Sequence, residues 1–556
     1  MKRIIVLYLF IFFAESFFAQ IATSQVATSK YWIRFTDKIG TPYSISNPSE
    51  YLSAKAITRR NNQHISISEN DLPVNPSYID SVVNIGVTLL NKSRWFNAIT
   101  IYTTDTNKLK KINLLPFVSG TKPVGISRKK NDVETVQSFS AKTTTSNDYA
   151  YGGAYNQINM VNGICLHDLG YDGKGMTIAV IDAGFYQANI LPAFDSIRLN
   201  NRILGTWDFV LGIGNVYSDP AQDDPHGSEV LSVMASYLPG QIIGTAPKAK
   251  YWLFRSEDSN SEKIIEEDNW VSAAEVSDSV GADVINTSLG YNTFDDPSQN
   301  HTYADLNGHT TVISIAASIA ASKGMIVVCA AGNEGGDSWG YITVPADADS
   351  ILAVGAVDMN KNYAPFSSIG PSSDGRIKPD VAALGAGTAI TDFGNGVSYG
   401  SGTSFASPVI AGMVACLWQA HPELKNMDII NAVKQSASRY SDPNDSIGYG
   451  IPNFCVANIL LSGTNPPSFQ EDHLYNIFPN PFITSFGFSF YSSINQTLKI
   501  ELFDITGREI WYTEKQMNGT SYNTYTINEL ATLSTGMYFL TVTSDNKKYA
   551  EKLIKE

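Results

Sequence analysis

The chain has 556 residues, too many for one hydrophobic core, so roughly three or four domains are expected. Hydrophobic residues make up 43% and charged residues 17%, a balance that excludes a disordered chain. The formal charge of −14, with no basic face in evidence, excludes nucleic acid as a partner.

Residues 1–19 carry Lys2 and Arg3, an apolar run from Ile4 to Phe13, and small residues near Ala19. This is the pattern of a secretory signal peptide, too short to span a bilayer. No other stretch is long and apolar enough to cross, so an exported chain without a transmembrane segment is expected. Residues 28–120 read as a small α+β domain. Tyr31 to Phe35 alternates like a strand, Pro48 to Arg60 and Tyr78 to Ile85 read as helices, and Val87–Leu90 and Trp95–Tyr102 as strands around Lys92-Ser93-Arg94. No catalytic cluster occurs there, only the isolated His64. Residues 121–149 change in composition: Arg128-Lys129-Lys130 precedes a run of Ser, Thr and Asn. That is an exposed linker, and both a plain spacer and a processing site fit it.

Residues 150–460 alternate strands with helices. Met176 to Asp182, Lys250 to Arg255, Asp283 to Thr287, Met325 to Ala330 and Ile351 to Val357 are apolar strands. Ser228–Tyr237, Asn269–Val280 and Val312–Lys323 are the helical runs between them. The pattern implies a parallel sheet covered on both faces, with ligands at the carboxyl ends of its strands, where Asp182, Ser288 and Asn333 fall. Four cysteines are too few for a disulfide scaffold. Cys329 and Cys416 lie in apolar runs, whereas Cys165 and Cys455, near the two ends of this region, can pair after export. A second linker (461–474) holds Pro466-Pro467. Residues 475–556 read as short strands of an antiparallel β-sandwich.

Four stretches carry chemistry. Gly402-Thr403-Ser404-Phe405-Ala406-Ser407-Pro408 puts a serine at or just before the start of an apolar helix, where free N–H groups stabilise an anion; Pro408 fits the first turn. Ala179 to Phe185 ends a strand on Asp182. Asp224-Pro225-His226-Gly227 places a histidine at a helix start, and Ala330-Ala331-Gly332-Asn333-Glu334-Gly335 places an amide after a strand. Taken singly, each residue is more simply a turn former, a cap or a loop residue.

Together, in the order Asp, His, Asn, Ser, these stretches resemble the subtilisin-like serine peptidases, or subtilases. Gly244 to Ala249, Asn286 to Gly290 and Lys378 to Val381 resemble further blocks of that family. The resemblance implies an α/β peptidase domain in which Ser404 attacks the peptide carbonyl and His226 moves the proton. Asp182 would orient the imidazole, and Asn333 would face the oxyanion. It also implies that Ser288, Leu289, Gly290, Ala331 and Gly332 flank the bound peptide. An α/β-hydrolase is excluded, because its nucleophile motif is G-x-S-x-G and its serine comes first. Ala183 and Glu229 depart from the family pattern and put fine geometry in doubt, not the reaction class.

No cofactor is expected. Calcium, which many subtilases bind, has no ligand spacing in Asp295, Asp296 and Asp305, and a solvated loop is the simpler account. The acidic run Glu257, Asp258, Glu262, Glu266, Glu267 and Asp268 reads as a solvated face, with preference for basic substrates as its alternative. By position, residues 28–120 resemble an inhibitory propeptide released by a cut within 121–149. Residues 475–556 resemble the C-terminal sorting domain of the type IX secretion system, through Asn476 to Pro481, Leu502 to Arg508, Gly536-Met537-Tyr538 and Lys552 to Lys555. The whole reads as a secreted or surface-bound serine endopeptidase made as a zymogen and exported through the periplasm. Its partners would be protein substrates and the type IX machinery. The alternative is a non-catalytic peptide-binding or surface protein on the same scaffold.

Overall fold

The computed structural model describes residues 29–125, 149–218, 224–462, 473–478, 480–492, 494–517, 521–528, 530–545 and 547–556. The expected signal peptide, the Arg128-Lys129-Lys130 run and Pro466-Pro467 lie outside the described residues.

The first domain is a four-stranded antiparallel sheet, order β2-β3-β1-β4. Its strands are β1 (Lys30–Phe35), β2 (Thr88–Ser93), β3 (Ala98–Tyr102) and β4 (Val118–Gly125). Helices α1 (Ala54–Gln63), α2 (Pro76–Val83) and α3 (Thr106–Asn113) complete it. Ile33, Phe35, Val82, Ile99 and Ile101 form its core. The helix expected from Pro48 is split. Pro48–Glu50 makes one 3-10 turn, and α1 starts only after Ser53, whose side chain caps Ala56 N. Strand β4 carries the domain through Gly125, past the expected boundary at 120. As an edge strand paired only with β1 it tolerates Pro123, and with Gly120 and Gly125 it carries few side chains to alternate, which is why no strand pattern shows.

The central domain is a seven-stranded parallel sheet, order β11-β10-β9-β8-β5-β7-β6. The strands are β5 (Thr177–Asp182), β6 (Ile203–Asp208), β7 (Lys250–Arg255), β8 (Val284–Thr287), β9 (Ile326–Ala330), β10 (Leu352–Val357) and β11 (Val381–Leu384). Five of the seven are those expected; β6 and β11 are the two edges. Helices α4 (Ile164–Asp168), α5 (His226–Ala235), α6 (Ile265–Val280), α7 (Val312–Ser322), α8 (Thr403–Ala420) and α9 (Phe454–Leu461) surround the sheet. Strand residues alternate between two cores. Ile178, Val180 and Val328 face α5 and α8, while Ala179, Ile181 and Val327 face α6 and α7. Among the described residues only α8 has the length and hydropathy of a membrane span, and it is buried at the centre of the domain. Cys165 on α4 and Cys455 on α9 form a disulfide, and Cys329 and Cys416 are free and buried.

The C-terminal part has seven strands: β12 (His473–Phe478), β13 (Phe486–Ser492), β14 (Gln496–Asp504), β15 (Glu509–Met517), β16 (Ser521–Ile527), β17 (Gly536–Thr543) and β18 (Lys548–Lys555). They make two antiparallel sheets, β12-β13-β16 and β15-β14-β17-β18. Phe486, Phe488, Phe490, Leu498, Ile500 and Leu540 pack between them.

The first domain is docked on α6. The Asp278 carboxylate takes three guanidiniums, Arg59 at 2.5 Å, Arg60 at 2.8 Å and Arg94 at 2.6 Å. Asp71 pairs with Arg60 at 2.8 Å and with Lys323 at 3.0 Å. Glu275 accepts from Ser93 Oγ, Arg94 N and Trp95 N at 2.6, 2.7 and 3.0 Å. This arrangement overturns the solvated reading of the acidic run. Glu266, Glu267 and Asp268 open α6 and are buried. Glu266 closes the preceding loop by accepting from Asp258 N and Lys263 N, each at 3.1 Å. Glu267 meets His301 Nε2 at 2.5 Å, and Asp268 lies beneath the first domain. The run is polar in sequence, but its second half is covered: Glu266 by its own loop, Glu267 by His301 and Asp268 by the docked domain, while Glu257, Asp258 and Glu262 stay half-buried.

Candidate active site

Strand β5 ends on Asp182, which is fully buried. Its Oδ1 accepts from Ala183 N at 2.8 Å and meets His226 Nδ1 at 2.6 Å. The non-family residue Ala183 thus supports the carboxylate through its backbone. Arg255 at the end of β7 holds the same turn, donating from Nε to Ala183 O at 3.0 Å while Nη1 pairs with Asp208 at 2.8 Å. His226 opens α5, and Asp224 Oδ1 accepts from its backbone N at 2.9 Å. Gly227 has no Cβ because the Gly184 carbonyl oxygen occupies that space, so the helix start can press against the turn after Asp182. Burial alone would lower the His226 pKa. The Asp182 carboxylate outweighs it, with help from Asp224 and Glu229, and raises it to about 10.

Ser404 is the second residue of α8, at the helix start where it was expected. Its hydroxyl donates to Ser288 O at 3.2 Å, and the Ser288 hydroxyl donates back to Ser404 O at 2.8 Å. The second bond explains Pro408. This proline lies inside the helix, beyond the first turn expected for it. Lacking an N–H, it cannot bond the carbonyl four residues back, and that carbonyl is Ser404 O, which Ser288 satisfies instead. Asn333 Oδ1 accepts from Thr403 N at 2.8 Å and from Thr403 Oγ1 at 3.0 Å. With its oxygen bonded to Thr403, the Asn333 amide keeps Nδ2 beside Gly402, where Ser404 N also lies.

The fold therefore brings Asp182 to His226, and Ser404 to Ser288 and the Asn333 loop. The His226 and Phe405 rings, 6.0 Å apart, join the two groups. Gly290 and Gly332 stand either side of the Thr343 hydroxyl, a buried group with no hydrogen-bond partner among the described residues. Leu289 is buried, and Ala331 is tied to β10 by donating to Val354 O at 3.0 Å. Sequence reasoning missed Arg255, Asp224 and Thr403. Only Asp224 carried a signal, as an acidic cap two residues before His226. Among the described residues no group of three or more His, Cys, Asp or Glu is arranged to hold a metal ion. Asp296 and Asp305 cap single 3-10 turns by accepting from Ser298 N and Thr302 N at 3.1 and 2.8 Å.

The model of the subtilase family matches residues 173–450, half of the chain and nearly the whole central domain. The chain belongs to the subtilase family. The thermophilic serine proteinase of Bacillus sp. (strain AK1) is 31% identical over 319 residues, covering 57% of this chain and 69% of its own. Subtilisin NAT of Bacillus subtilis subsp. natto is 28% identical over 316 residues, covering 56% and 73%. The solved structure of the prenylagaramide maturation protease PagA aligns with a TM-score of 0.42 at 22% identity, over 54% of this chain and 98% of its own. Residues 30–141 of this subtilase match the peptidase S8 propeptide domain of Bacteroidota. Residues 476–556 match the secretion system C-terminal sorting domain. The protein is thus a subtilisin-like serine peptidase with a propeptide domain and a sorting domain, exported for secretion or surface attachment.

Proposed function

We propose that this subtilase cleaves peptide bonds by acyl transfer to Ser404 and is made as a zymogen. The Asp182–His226 contact of 2.6 Å carries the reading, because a buried carboxylate on Nδ1 leaves Nε2 to act on a neighbouring hydroxyl. The Ser404 hydroxyl turns from Ser288 O to His226 Nε2, gives up its proton there and attacks the scissile carbonyl. The oxyanion is met by Asn333 Nδ2 and Ser404 N at the positive end of α8. His226 then hands its proton to the leaving amine, and water reverses the sequence to free the acid. Asp182 stays ionised throughout and stabilises the imidazolium. The peptide lies extended between Ser288-Leu289-Gly290 and Ala331-Gly332, adding its backbone to theirs.

The docked first domain serves as the propeptide, and a self-inflicted cut within 121–149 separates it from the peptidase. Residues 475–556 engage the type IX secretion machinery. The test compares secreted wild type with Ser404→Ala by intact mass, N-terminal sequence and labelling with a fluorophosphonate. Expected is trimming within 121–149 and labelling of wild type alone. A wild type that neither labels nor degrades casein would instead be a peptide-binding protein on a peptidase scaffold.

A further inference from the structure

Between the first domain and α6 runs a narrow crevice with no room for a water molecule, lined by Trp32, Lys92, Phe96, Asp268, Val271 and Val312. Asp268 is buried there, and its Oδ2 has no hydrogen-bond partner among the described residues. A carboxylate in such a place is costly as an anion and cheap as an acid. We propose that Asp268 makes the grip between the propeptide domain and α6 sensitive to pH: the surfaces stay closed over the protonated carboxyl and part when it ionises.

Three charged side chains face Asp268. Lys92 on β2 lines the crevice while remaining exposed, Lys122 on β4 attracts the carboxylate, and Glu267 on α6 repels it. Burial, reinforced by Glu267 and opposed by Lys122, pushes the Asp268 carboxyl up to about 8. Once the domains part, Asp268 stands in water on the first turn of α6, where the helix dipole favours the anion and the pKa returns to about 4. Between those values the closed form holds a proton that the open form lacks. The Asp268 proton therefore makes closure weaken as pH rises, by at most about tenfold per unit for this one group, and its effect is complete above about 8. Glu275, also pushed up by burial, works in the same direction. Asp278 and Asp71 are both held below the ordinary carboxylate range by their cations and lose their charge only in stronger acid.

None of this requires Ser404 chemistry, so the test uses the full-length Ser404→Ala chain. The amides of Arg94 and Trp95 donate across the interface to Glu275 and report its opening through hydrogen exchange. Their protection, corrected for chemical exchange, is expected to fall between pH 5 and 8 by up to about tenfold per unit. With Asp268→Asn or Asp268→Ala added, that slope should flatten. A flat profile in the Ser404→Ala chain, or equal slopes with and without Asp268, would overturn the proposal. The first of these outcomes does not depend on either substitution folding.

Discussion

Replacing Asp278 by asparagine removes the one anion that three buried arginines share. Burial opposes the Asp278 charge, but the guanidiniums of Arg59, Arg94 and Arg60 outweigh it and hold the carboxyl below its ordinary range. The loss is smaller than three broken ion pairs, because each arginine keeps another acceptor. Arg60 retains Asp71 at 2.8 Å, Arg94 retains Glu275 O at 2.9 Å, and Arg59 retains Lys323 O at 3.2 Å. The expected cost is therefore that of one broken buried pair, about 3–5 kcal/mol. The first domain is about the size for which each kcal/mol moves the melting point by at least roughly 4 °C, so its transition is expected to drop by roughly 12 °C or more. Scanning calorimetry of the full-length Ser404→Ala chain, with and without Asp278→Asn, measures it. A drop below about 3 °C would refute the view that Asp278 holds the domains together.

At the active site, Asn333→Ala should lower kcat by about 10²–10³ with little change in KM, since its amide meets charge that exists only in the transition state. Peptide-amide hydrolysis checks this, and a change confined to KM would count against it. Because Asp182 overrides burial and raises the His226 pKa to about 10, the neutral base appears late, and kcat/KM should rise with pH along a limb near 10. The same pair adds to stability fully below about 6.5, the ordinary histidine value, and loses that contribution as pH climbs through about 10. Asp182→Asn should move the rate limb downward; a limb that stays in place in the variant would contradict the coupling of Asp182 to His226. The Cys165–Cys455 disulfide spans 290 residues, and breaking it should cost about 2–5 kcal/mol. Paired thermal melts of Cys455→Ser and wild type would show a clear drop, and coincident melts would show that the bond closes nothing of consequence.

Much of this chain is legible before folding. Five of the seven strands of the parallel sheet, the strand ends that carry Asp182 and Ser288, and the helix start at Ser404 follow from local hydrophobic period and glycine placement, which neighbouring residues set among themselves. The edge strands β6 and β4 escape that reading because an edge needs only one partner and one covered face, so its sequence stays mixed. The acidic opening of α6 reads as a solvent face for the opposite reason: its burial comes from groups distant in the chain, His301 over Glu267 and the first domain over Asp268, which no local pattern encodes. The same holds for the detail of the site. What satisfies the carbonyl that Pro408 releases, why Gly227 lacks a side chain and which way the Asn333 amide turns depend on atoms brought together across β5, β8, β9 and α8. Sequence alone determined which groups are present and in what order; only packing decided which of them touch, because distances of 2.6–3.2 Å between residues 44 to 116 positions apart are set by the sheet and not by the chain.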